Sequence, residues 1–141
     1  MDRRHFLRTS CTGCAGALLL GTAATALQGC SSLPMVRVRP EARSLRLPLV
    51  RFANGPFLVA RVDELPFDVL AVYRNTDEHH AVYLQCTHED QPLTATSTGL
   101  HCPSHGSRFT TGGAVVEGPA TRELRRFRTE LDSEHLIIHL T

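Results

Sequence analysis

Apolar and polar positions alternate with a period of two at Leu45, Leu47 and Leu49, with Arg46 and Pro48 between them. That spacing predicts a strand with one face buried. Two further runs, Phe57–Val62 and Val69–Tyr73, are apolar almost throughout, the first interrupted only by Arg61. Ala81–Leu84 is a third, and Arg74-Asn75-Thr76-Asp77-Glu78 stands before it. Short runs rich in Val, Leu and Tyr, bounded by Gly, Pro, Asn and Asp, predict strands joined by turns. Residues 122–131 and His135–Leu140 are expected to add two more. Beyond residue 30 no stretch sustains a helical period. Between residues 86 and 120 the alternation gives way to glycines and prolines, which shape tight loops and not helices or central strands. The expected fold is all-β, an antiparallel sandwich or barrel.

Residues 1–30 have a different character and are expected to lie outside the fold. Arg3-Arg4 in Asp2–Arg8 resembles the twin-arginine export motif. The apolar stretch Ala15–Leu27 is shorter than the roughly 20 residues of a membrane span and has the length of a signal core. Leu27-Gln28-Gly29-Cys30 resembles a bacterial lipobox, with Cys30 as the lipidated new N-terminus, although Gln28 departs from the preferred small residue. Two other outcomes stay open: cleavage at Ala24-Thr25-Ala26, or retention of the segment as an anchor. Cys11 and Cys14 fall at the start of the apolar stretch and read as part of the targeting segment. Residues 31–42 read as a tether and residues 43–141 as one domain.

Composition narrows the possibilities. The formal net charge is +1 and every basic residue is arginine, which gives no electrostatic case for nucleic acid binding. There is no tryptophan, so Leu, Val and Ile must fill the core. With Cys30 modified and Cys11 and Cys14 in the targeting segment, Cys86 and Cys102 remain of the five cysteines.

Those two cysteines stand in pairs with histidine, Cys86-x-His88 and Cys102-x-x-His105. Each loop therefore offers one thiolate and one imidazole, close enough to serve a single metal site. The donor set suits a tetrahedral zinc ion, and equally a two-iron cluster in which one iron carries both cysteines and the other both histidines. His79, His80, His101, His135 and His139 lack the spacing of a second site; His101 stands out only because it abuts Cys102.

The flanking residues narrow the choice. Cys86-Thr87-His88 with Pro92-Leu93, then Cys102-Pro103-Ser104-His105-Gly106-Ser107-Arg108-Phe109, then Gly118-Pro119-Ala120, closely resemble the Rieske family over roughly residues 43–140. The resemblance implies a β-sandwich or barrel with the cluster loops at one end and one [2Fe-2S] cluster per subunit. It implies Cys86 and Cys102 on the inner iron, His88 and His105 on the outer, more exposed iron, and Ser107 as a donor to a bridging sulfide. Cytochrome bc-type members carry a further cysteine on each loop and a tyrosine after the second. Here those positions are Gln91, Ser104 and Phe109. With no disulfide and one hydroxyl fewer near sulfur, the chain looks closer to ferredoxin-type Rieske proteins than to quinol-oxidising ones.

The function expected from the resemblance is one-electron transfer without a substrate site of its own. The chain would be a membrane-tethered carrier on the periplasmic side, or the electron-transfer subunit of a periplasmic oxidoreductase, with a redox protein as partner. A quinol-oxidising subunit and a zinc-stabilised binding module are the other readings. An oxygenase would add a mononuclear iron held by two histidines and a carboxylate, which is not expected in the 21 residues after Ala120.

Overall fold

The computed structural model describes residues 32–141. The readings of Arg3, Arg4, Cys11, Cys14, Ala24–Ala26 and Cys30 lie outside the described residues. Among the described residues strands are the dominant regular structure. Eleven strands follow in order: β1 (Met35–Val38), β2 (Ser44–Pro48), β3 (Phe57–Val62), β4 (Val69–Tyr73), β5 (His79–Tyr83), β6 (Thr94–Ala95), β7 (Leu100–His101), β8 (Arg108–Phe109), β9 (Val115–Glu117), β10 (Arg126–Leu131) and β11 (His135–His139). One 3₁₀ turn, Leu49–Phe52, follows β2. Among the described residues no helix is long and apolar enough to cross a membrane.

Seven strands form a nearly closed, barrel-like sheet in the order β1-β3-β4-β5-β10-β11-β2. The fold is the all-β barrel expected, with antiparallel pairing except at one edge. There β1 lies parallel to β3, Met35 opposite Val59 and Val38 opposite Val62. The stretch read as a tether thus contributes a strand. β10 begins at Arg126, later than the expected start at residue 122; Leu124 and Arg125 instead bond across to Gly113 and Tyr83 through their backbone.

The apolar runs of β3, β4 and β5 have a structural reason. Side chains alternate across a strand, and here both faces are covered. Leu58, Ala60, Val62, Val69, Ala71, Ala81 and Tyr83 face a barrel core with Leu45, Leu47, Leu136 and Ile138. Phe57, Val59, Leu70, Val72 and Val82 face a second core with Leu84, Leu93, Leu100, Phe109, Leu124 and the two cysteines. A strand buried on both sides needs no polar alternate residue, whereas β2, with Arg46 exposed, keeps the alternation, and in β11 fully buried residues alternate with partly buried ones.

The second core supports a small four-stranded antiparallel sheet, β6-β7-β8-β9. Its strands are two or three residues long. This sheet carries the segment between the two Cys-His loops and continues from the second.

Candidate metal centre

The two Cys-His loops are built alike. The Cys86 N–H donates to the Gln91 carbonyl at 2.8 Å, and the Cys102 N–H donates to the Ser107 carbonyl at 2.8 Å. Each cysteine therefore begins a loop that closes back on it. Gln85 and Pro92 form a β-bridge at the base of the first loop, and the Leu93 N–H donates to the Leu84 carbonyl at 3.1 Å. In the second loop the Gly106 N–H donates to the Cys102 carbonyl at 3.0 Å. Gly106 has φ +80°, in the left-handed region that glycine enters without a Cβ clash.

Burial divides the four candidate ligands into an inner and an outer pair. Cys86 and Cys102 are fully buried free thiols. His88 and His105 lie at the surface, their rings edge to face with centroids 5.1 Å apart. Burial pushes the Cys86 thiol up, but it is held below its ordinary pKa overall. The opposing groups are the N–H of His88, the Cys102 thiol, the N–H of Glu89 and the Ser107 hydroxyl. These donors gather at one sulfur and favour its thiolate. The set offers two soft sulfur donors beneath two imidazoles, a fit for either zinc or a two-iron cluster by ligand type.

Ser107 is fully buried. Its Oγ accepts the Ala120 N–H at 3.0 Å, and its hydroxyl is among the groups that lower the Cys86 thiol. Gly118-Pro119-Ala120 is thereby fastened to the second ligand loop. The first loop is fastened to the same stretch: Thr87 Oγ1 donates to the Arg122 carbonyl at 2.6 Å, and Arg122 Nη2 reaches the Thr87 carbonyl at 3.4 Å. Thr87 and Arg122 escape a reading by ligand type, since neither is a ligand. The carboxylate of Glu89 was also missed; it lies 3.7 Å from His105 Nδ1 on the opposite loop. The only sequence signal for it is the acidic pair directly after His88.

The other histidines serve elsewhere. His101 is exposed on β7, paired with Thr94 and Arg108. His79 Nδ1 lies 2.9 Å from Thr129 Oγ1. His80 contacts the Thr111 carbonyl at 3.3 Å, and burial lowers its pKa. His135 and His139 stand beside Asp132 and Glu130. Positions 91 and 104 hold glutamine and serine, so no disulfide can join them, and Phe109 is buried in the second core.

Comparison with known proteins adds family and fold. The family model of the Rieske [2Fe-2S] domain matches residues 51–128. Iron-sulfur subunit 2 of the cytochrome b6-f complex from Nostoc sp. (strain PCC 7120) is 24% identical over 106 residues, covering 75% of this chain and 55% of that protein. The same subunit of Trichormus variabilis matches equally, at 24% over 106 residues. The chain spans about half the length of these curated relatives. Among solved structures, the cyanobacterial plasma membrane Rieske protein of Synechocystis PCC 6803 superposes with a TM-score of 0.55 at 23% identity, over 66% of this chain and 96% of that one. The ferredoxin of carbazole 1,9a-dioxygenase from Nocardioides aromaticivorans IC177 gives 0.53 at 21%, over 71% and 100%. These structures share the fold. A family match over more than half of the chain, on a barrel with two Cys-His loops at one end, places this protein in the Rieske [2Fe-2S] domain family.

Proposed function

We propose that the chain transfers single electrons through one Rieske-type [2Fe-2S] cluster. Cys86 and Cys102 would hold the inner iron, and His88 and His105 the outer iron. The observation that carries this reading is the division of the four ligands, two buried thiols beneath two exposed imidazoles on facing loops. Family membership implies the cluster itself.

When bound, the cluster supplies one-electron oxidation and reduction. The chain's residues set the conditions. The buried cysteines and the second core exclude water from the inner side. The N–H groups of His88 and Glu89 and the Ser107 hydroxyl favour negative charge on the Cys86 sulfur, and so favour the reduced state. The two imidazoles present the exposed edge to a partner.

Location and partner belong to the same proposal. Arg3-Arg4, the apolar stretch and Cys30 support twin-arginine export and a lipid anchor on the periplasmic side, with residues 1–30 removed or modified. Twin-arginine export carries folded proteins, which suits a centre assembled before export. The partner is a redox protein. The absence of cysteine at 91 and 104 and of a hydroxyl at 109 supports a carrier of ferredoxin type, or the electron-transfer subunit of a periplasmic oxidoreductase.

A second reading is favoured by the names of the relatives, which are subunits of the cytochrome b6-f complex. In that reading the chain serves a quinol-oxidising complex. The midpoint potential separates the two. Rieske centres span about −150 to +300 mV. A carrier lacking the disulfide and the tyrosine hydroxyl is expected below about +150 mV within that range. Protein-film voltammetry tests this, and a value near the top of the range would favour the quinol-oxidising reading.

A further inference from the structure

Two carboxylates follow His88 in sequence, and the fold treats them differently. Asp90 is engaged at the base of its own loop, where Gln85 Nε2 donates to Asp90 Oδ1 at 2.8 Å. Glu89 instead crosses to the second loop and stands 3.7 Å from His105 Nδ1. One ligand-type atom each from His88, Glu89 and His105 lie within 4.8 Å of one another. The nearby basic side chain Arg122 makes its hydrogen bond to the backbone of Thr87 and not to an imidazole. Glu89 is therefore the carboxylate that the fold sets against both imidazoles.

Resting on the cluster reading above, we infer that Glu89 is a potential-setting residue, whose negative charge favours the oxidised state and lowers the midpoint. It acts against the donors at Cys86, which favour the reduced state. The glutamate is covalently next to His88, so its charge stays close to the outer ligands in either oxidation state. The side chain is exposed, and its effect is correspondingly screened. A unit charge at about 7 Å, in surroundings of effective dielectric about 40 to 80, changes a reduction equilibrium about three- to eightfold. For a one-electron couple that is about 28 to 53 mV.

The test is voltammetry of the cluster-loaded protein at low salt and at 1 M salt, with EPR as a check on the cluster. Glu89→Gln should shift the equilibrium toward the reduced state about three- to eightfold at low salt. The shift should shrink at high salt, where the Debye length falls to about 3 Å. Glu89→Arg should move it further in the same direction, and Glu89→Ala repeats the test with a neutral, shorter side chain. An E89Q equilibrium within about 1.5-fold of wild type, with a normal Rieske spectrum, would overturn the inference and leave the cluster reading standing. Asp90→Asn moving the potential as far as E89Q would also overturn it, because the effect would then be general loop charge. A wild-type protein with no Rieske spectrum would instead remove the reading beneath it.

Discussion

Replacing Ser107 by alanine removes a hydroxyl that is fully buried, holds the Ala120 N–H and helps to keep the Cys86 thiol below its ordinary pKa. Its oxygen accepts the Ala120 N–H at 3.0 Å, and its proton is free to serve the Cys86 sulfur, whose pKa it lowers. Ala120 is itself 3% exposed, so its N–H gains no water when the acceptor goes. Leaving a buried donor unsatisfied costs about 1–3 kcal/mol. The cluster-free variant should therefore lose about that much stability in urea unfolding. The second effect appears only in the loaded protein. A hydrogen bond to a charged group contributes about 1.5–3 kcal/mol, and for a one-electron couple 1.4 kcal/mol corresponds to 59 mV. Ser107→Ala should thus lower the midpoint by about 60–130 mV. Voltammetry reads the potential and denaturation reads the stability, so the two roles are measured separately. If the variant keeps its cluster and its midpoint moves by less than about 30 mV, the hydroxyl is not a donor to the ligand sulfur.

Other consequences are equally direct. Phe109→Tyr adds a hydroxyl within the second core beside the ligand loops and should raise the midpoint; an unchanged value in a folded variant would show that the hydroxyl does not reach a sulfur. Asp132 is held well below the usual carboxylate range by the N–H groups of Glu134 and His135, with Arg46 adding to them, and Glu130 is lowered by His139 and Arg128. Folded pKa values below the unfolded ones give stability that is present above about pH 4 and is lost as pH falls further. The melting temperature should fall from about pH 4 downward, and less steeply in Asp132→Asn; parallel curves would refute the assignment. Arg3→Lys with Arg4→Lys should hold the precursor in the cytoplasm, and Cys30→Ala should abolish lipid labelling. A mature N-terminus at Leu27 by mass spectrometry would replace the lipid anchor with ordinary cleavage.

Much of this architecture is legible from residue order because it rests on local patterns. The double-sided burial of β3 and β4 leaves apolar runs, and the exposed Arg46 between the buried leucines of β2 leaves alternation. The Cys-His spacings are local too, since each loop closes on its own cysteine. What was not legible depends on pairing across the chain. Met35–Val38 is a four-residue strand in a stretch flanked by Pro34 and Pro40, and its strand character comes from lying against β3. The strands of the small sheet are too short for any period to register. The contact of Glu89 with His105 joins two loops whose mutual approach no spacing rule supplies. The fastening of Thr87 to Arg122 likewise spans a long stretch of chain.

The central claim is that Cys86, Cys102, His88 and His105 hold one [2Fe-2S] cluster. EPR of the dithionite-reduced protein, with iron and acid-labile sulfide measured on the same sample, tests it most directly. A Rieske signal with two irons and two sulfides per chain is expected. The signal should be lost in His105→Ala and retained in His101→Ala. A normal Rieske spectrum in His105→Ala, or a colourless wild-type protein carrying zinc, would contradict it.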